Sequence, residues 1–298
     1  MTGGYRLAAA LLALCASAMA DAHPDKSFER TVPADSKGVV DISNVSGSIE
    51  VVGWDRQEVA VRAELGDGVE AVEVNSDHGR TTVKVVLPHH SSHDSDAHLH
   101  VQIPKDSELD VSAVSADLLT SAVLGVQRLN TVSGDVTAEL AGSDLELKSV
   151  SGDVKVKGHG QPARLHITTV SGDVHLDHGA GDLEAGTVSG TLVLSLDSAR
   201  SVRVRTTSGD VHFEGNLAHG ANFDGSSVSG EFKVRAPADG GYAYEISTFS
   251  GDISDCFKVQ PSEHEHMPGH TLEGTRGDGA GKMRIKTMSG DVDLCDRK

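Results

Sequence analysis

The feature that most limits how this chain can fold is a turn that it spells over and over. The stretch TTVSGDVHLD, Thr168 to Asp177, has close copies centred on Ser46, Ser115, Ser133, Ser151, Ser171, Ser189, Ser208, Ser229, Ser250 and Ser289. From Ser115 to Ser250 the copies follow one another every 18 to 21 residues. Units this short cannot bury an apolar face alone, so each must stack on its neighbours.

Inside a unit the apolar positions alternate on both sides of the serine. Leu147 and Leu145, Ile167 and Leu165, or Val204 and Val202 precede it by four and six residues; Val154 and Val156, Val174 and Leu176, or Leu192 and Leu194 follow by three and five. Period two on each side of a turn predicts two short strands per unit, each with one buried face. The expected fold is therefore all-β: a parallel β-solenoid, β-helix-like, of 18–21-residue coils with extra strands near the N-terminus. Two residues before the serine stand Thr131, Ser149, Thr169, Thr187, Thr206, Ser227, Thr248 and Thr287, expected to stack and to exchange hydrogen bonds between rungs. The glycine after each serine suits a left-handed turn or a close backbone approach, with Ala116 the exception. The aspartate that follows is expected to close the turn by accepting from nearby N–H groups.

That aspartate also suggests a cation row. Asp117, Asp135, Asp153, Asp173, Asp210, Asp252 and Asp291 would recur about 4.8 Å apart on successive rungs, where divalent cations could bridge them. Thr191 and Glu231 interrupt the series. Ordinary turn chemistry explains the motif without any ligand.

The first twenty residues, 1–20, read as a secretory signal: Arg6, an apolar run from Leu7 to Leu14, and small residues at Ala18 and Ala20. Cys15 allows a lipoprotein reading, although Leu14 before it is bulky. The apolar run is too short for a stable membrane span, which predicts an exported protein, periplasmic or on the cell surface. Two cysteines then remain. Cys256 and Cys295 each lie six residues after their serine, at equivalent places in their units, and are expected to form a disulfide. The net charge of −18 disfavours nucleic acid as a partner and favours polycations and divalent cations.

Segment 21–110 carries additional alternating stretches between Ser46 and Ser115 and reads as strands and a cap continuous with the regular repeats of 111–298. Within it, LPHHSSHDSDAHLHV places His89, His90, His93, Asp94, Asp96, His98 and His100 together, a set of donors suited to zinc, nickel or copper. His98 and His100 share a strand face by parity. A solvated loop is the competing account. A second cluster runs from Glu263 to His270, and Arg276-Gly277-Asp278 spells an integrin-recognition tripeptide. No G-x-S-x-G or H-E-x-x-H is present.

The TVSGDV units, together with DISNVSGSIEVVGWDRQEVAV and VQIPKDSELDVSAVSADL, resemble the bacterial putative-adhesin family of β-strand repeats, over about Phe28 to Leu294. The resemblance implies an exported all-β solenoid and brings neither catalytic residues nor a cofactor. The expected function is a non-enzymatic scaffold, an adhesin or cell-envelope interaction protein that binds an unknown envelope or surface ligand along its ladder faces. Two alternatives stand beside it: a metal-binding envelope protein using the His-rich loops, and a polysaccharide-active β-helix enzyme. Trp54 is the chain's one tryptophan, so a sugar-stacking groove would be hard to build.

Overall fold

The computed structural model describes residues 26–88, 95–237, 241–257, 262–263 and 269–295. The segment read as a signal lies outside them. Among the described residues the chain is all-β, and its strands join into one 22-stranded sheet. Among the described residues no helix is long and apolar enough to cross a membrane.

In chain order the N-terminal strands are β1 (Lys26–Pro33), β2 (Val39–Trp54), β3 (Glu58–Leu65), β4 (Ala71–Asp77), β5 (Arg80–Val86), β6 (Ala97–Pro104) and β7 (Glu108–Ser121). The central repeats supply β8 (Gln127–Ser133), β9 (Val136–Glu139), β10 (Leu145–Ser149), β11 (Val154–Lys157), β12 (Ala163–Thr169), β13 (Val174–Thr187), β14 (Leu192–Thr206) and β15 (Val211–Ser227). The C-terminal part adds β16 (Phe232–Arg235), β17 (Tyr242–Thr248), β18 (Ile253–Asp255), β19 (Ser262–Glu263), β20 (His270–Arg276), β21 (Gly281–Thr287) and β22 (Val292–Cys295).

Successive units pair in parallel, through two ladders. Before the turn, β8 pairs with β10 and β10 with β12, so that Leu129, Leu147 and Ile167 fall in line. After the turn, β9, β11 and β13 align Val136, Val154 and Val174. Each of these six side chains is at most 1% exposed. The period-two pattern therefore sends matching aliphatic rows into a common interior, as the burial of apolar area requires. Where one row lacks a side chain, at Gly225, the rings of Phe232 and Phe223 fill the space: an added Cβ would meet them at 2.9 and 3.3 Å.

The order of units in space departs from their order in the chain at both ends. The two halves of β2 pair with β7 on one side and with β5 and β6 on the other. At the far end β21 and β22 lie between the β15/β16 rung and the β17/β18 rung. The final repeat thus fills a gap that the chain has left behind it. Antiparallel strands cover the ends: β4 on β5, β3 on β6 with β1 beyond it, and β20 on β17 with β19 beyond that. Such pairing uses hydrogen-bonding groups that parallel rungs would leave open.

The disulfide joins Cys256 to Cys295, with Cα atoms 5.0 Å apart. The two cysteines sit on adjacent rungs, as equivalent positions predict. The rung made by the later residues, however, is the inner one.

Candidate binding face

The repeated turn builds one continuous face of the molecule, and each of its residues has a separate task. At the centre of the turn, the serine N–H donates to the carbonyl of the residue before the serine on the neighbouring rung: Ser151 to Val132, Ser171 to Val150, Ser208 to Val188, each at 2.9 Å. The serine hydroxyl reaches toward the same carbonyl, at 3.3 Å for Ser151 and 3.2 Å for Ser208. Serine thus provides the hydroxyl link between rungs.

The threonine row behaves differently from expectation. Thr131, Ser149, Thr169, Thr187 and Ser227 point inward and donate to the carbonyl of the serine two residues on, at 2.7 to 3.3 Å, within their own turn. That carbonyl is turned into the interior and would otherwise be unpaired, which outweighs any link between hydroxyls. Thr248 is the one that crosses a rung, donating to the Gly290 carbonyl at 3.2 Å.

The aspartates also bond across rungs. One carboxylate oxygen of Asp117, Asp135, Asp153, Asp173, Asp210 and Asp291 accepts the N–H of the equivalent residue on the next rung: Asp135, Asp153, Asp173, Thr191, Glu231 and Asp252, at 2.7 to 3.1 Å. Thr191 and Glu231 thus keep the donor where aspartate is replaced, and the Glu231 carboxylate pairs with Lys233 instead. A backbone role accounts for six of the seven carboxylates, and Asp252 takes part through its N–H.

Glycine is required by stacking. Gly134, Gly152, Gly172, Gly190 and Gly230 have φ between 110° and 126°, and a Cβ on Gly172 would lie 2.2 Å from the Gly152 carbonyl oxygen of the rung beneath. Ala116 fits because β7 runs unbroken through its turn, and it is not among the positive-φ residues.

The residue between threonine and serine faces outward. In spatial order this row reads Val45, Val114, Val132, Val150, Val170, Val188, Thr207, Val228, Met288 and Phe249, and its apolar members are 39% to 59% exposed. At one rung per 4.8 Å the ridge is about 43 Å long. A lone exposed valine means nothing, but an apolar strip of this length, interrupted at Thr207, marks an interaction surface. The Asp row runs along one flank. The inside-out parity of Thr131 and Leu129 implies an outward valine at 132, so the signal was in the sequence, hidden among residues that look like core.

The other candidate residues scatter. His89, His90, His93 and Asp94 lie outside the described residues. Asp96 accepts a short hydrogen bond from Ser46 Oγ; His98 and His100 are on the outer face of β6. Among the described residues, the group of His, Cys, Asp and Glu ligand atoms gathered within 4.8 Å is Cys256, Asp293 and Cys295, and both of its sulfurs are held in the disulfide. The Arg276-Gly277-Asp278 tripeptide is engaged by the fold: Arg276 stacks 3.9 Å from the Phe257 ring centre, and Asp278 accepts from Ala280 and pairs with His219. A depression of about 860 Å³ over the C-terminal rungs is lined by Arg203, Asp224, Glu245, Glu273 and Arg284. Its charges largely offset one another, with Arg284 2.9 Å from Glu245.

Stacked rungs bound by a repeated turn define an all-β repeat protein whose distinctive surface is one linear face. The chain belongs to the Toastrack DUF4097 family, whose model matches residues 71–295. No curated protein matches it. It is similar to solved structures of a putative adhesin from Parabacteroides distasonis (10% identity, 91% of this chain and 98% of that one, TM-score 0.40) and a putative lipid binding protein from the same organism (12%, 90% and 96%, 0.36). A putative cell adhesion protein from Clostridium sporogenes gives 10% identity over 91% of this chain and 100% of that one, with a TM-score of 0.23.

Proposed function

We propose that this protein is an exported, non-enzymatic, adhesin-like scaffold of the cell envelope, and that its two ladders wind as a parallel β-solenoid. In this reading residues 1–20 are removed on export, 21–110 form the capping part, and 111–298 carry the regular coils. The observation that supports it most is the valine ridge: the feature repeated most faithfully on the outside is aliphatic, suited to contact and inert as chemistry. Burying the ridge would contribute roughly 25 cal/mol for each Å² of apolar surface removed from water.

The Asp row beside the ridge, on a chain of net charge −18, sets the partner's character. A protein surface with apolar side chains bordered by lysine or arginine is complementary to it. A second copy of this chain would bring acid against acid.

Thr207 supplies a native precedent for removing the ridge without disturbing the turn, since it occupies the same position. The triple variant V132T/V150T/V170T should melt as the parent does while retaining less than a tenth of the protein that the mature chain captures from envelope extract. Equal capture by parent and variant would overturn the ridge as the contact surface. Saturable turnover of a glycan by the parent would overturn the non-enzymatic reading.

A further inference from the structure

The outer face of β6 carries a cluster unrelated to the ridge. His98 and His100 point outward from the middle strand of three, with β2 on one side and β3 on the other. Their cross-strand neighbours are Ser48 and Glu50 on β2, and Glu64 and Arg62 on β3. Together with Phe28 these residues line a concavity of about 460 Å³.

Polar contacts on Nδ1 orient both rings in the same sense, a hydrogen bond with Ser48 at His98 and an ion-pair contact with Glu50 at His100. Glu50 Oε2 lies 3.1 Å from Nδ1 of His100. A carboxylate only accepts, so the proton of a neutral ring sits on Nδ1 and the Nε2 lone pair is free. Ser48 Oγ lies 2.9 Å from Nδ1 of His98, and when that Nδ1–H donates to the hydroxyl, Nε2 is free there as well. A partner on one ring nitrogen that fixes the tautomer and leaves the other nitrogen as donor is the second-shell arrangement of metal-binding histidines.

The spacing fits too. Alternate residues of a strand stand about 6.8 Å apart on one face, a gap that two imidazoles close around an ion held at roughly 2.0–2.1 Å from each nitrogen. Glu64 is directly opposite His98 in the antiparallel β3/β6 pair, and its carboxylate makes no hydrogen bond or ion pair with the described residues. Arg62, opposite His100, is the nearby cation, and Glu29 offsets it at 3.0 Å. The donor atoms are not gathered within 4.8 Å as they stand; rotation of the Glu64 side chain about χ1 and χ2 would bring its carboxylate toward the imidazoles while the Ser48 and Glu50 contacts stay in place.

We propose that His98, His100 and Glu64 form a binding site for a divalent transition metal of the zinc, copper or nickel type, with Ser48 and Glu50 as its orienting residues. Two imidazoles and one carboxylate on a rigid three-stranded patch leave further coordination positions to water.

The test uses the purified full-length mature chain and Zn²⁺ alone in calorimetry, with Cu²⁺ in electron paramagnetic resonance as the spectroscopic readout. The parent should bind one Zn²⁺ and give a Cu²⁺ signal split by two nitrogens. H98N/H100N should lose both, with an unchanged melting temperature. Glu50→Gln should weaken Zn²⁺ binding about 10- to 100-fold, as loss of a carboxylate partner does elsewhere. Unaltered affinity in H98N/H100N would overturn the proposal. So would loss of binding in H89A/H90A/H93A while H98N/H100N still binds, because the site would then lie in the preceding loop.

Discussion

Residue by residue, the turn divides its labour between groups that hold rungs together and groups that leave them exposed. Gly172 shows how strict the holding is. Its φ of 126° belongs to a region that side chains avoid, and a neighbouring carbonyl oxygen occupies the place of its Cβ. Gly172→Ala should therefore lower the urea midpoint by the equivalent of roughly 2–3 kcal/mol. Gly186, which has no positive φ and whose nearest backbone oxygen would be an ordinary 3.5 Å from a Cβ, is the control; Gly186→Ala should leave the midpoint in place or raise it. Equal losses from both would refute the stacking account of the glycine row. The glycines were legible in the sequence as turn residues. That the obstacle is the rung beneath was not, because the contact joins residues about twenty positions apart.

At the scale of strands, arginines clip one rung to the next from outside. Arg164 grips Asp144 through its backbone N–H and its guanidinium, and Arg200 grips Asp182. The Arg200 hydrogen bonds hold the Asp182 carboxyl below its ordinary value. At Asp144 burial pushes upward, but the hydrogen bonds from Arg164 outweigh it and the carboxyl again lies low. A carboxyl depressed by folding adds stability above its unfolded pKa of about 3.9, and that contribution is lost as pH falls through the folded value. R164Q/R200Q should thus melt about 1–3 °C below the parent at pH 7. The gap should narrow as pH falls below about 3.9, and a gap of unchanged size at the lowest pH at which the parent still melts cooperatively would exclude these carboxylates as its cause. The alternation of Leu145 with Glu146 and of Leu165 with His166 made the strands themselves readable. The partners of their outward side chains became visible only once register was known.

For the molecule as a whole, the decisive feature is the late placement of the last repeat. The chain runs from the β15/β16 rung out to β17 and β18, and then returns to fill the place between with β21 and β22. The Cys256–Cys295 bond ties the outer rung to the inserted one across 39 residues. Opening it by C256S/C295S should cost about 2–4 kcal/mol. Amide exchange should then rise in 241–257 and 281–295 first, with 127–215 still protected. Uniform acceleration along the chain would argue against an end that opens as a unit. A similar inversion at the other end, where β5 and β6 lie beyond β2, leaves only antiparallel strands outermost there, and β17 is covered in the same way by β20.

What the sequence determined by itself was the repeating unit: period-two burial around a Thr-x-Ser-Gly turn admits strands that stack, since neither apolar face of one unit can be covered by that unit alone. The pairing of the cysteines followed from the same periodicity. The tertiary structure alone decided the order of the rungs at the two ends and the rung-to-rung backbone partners of the aspartate carboxylates. Each of these depends on which backbone groups find themselves one rung apart, and distance along the chain does not specify that.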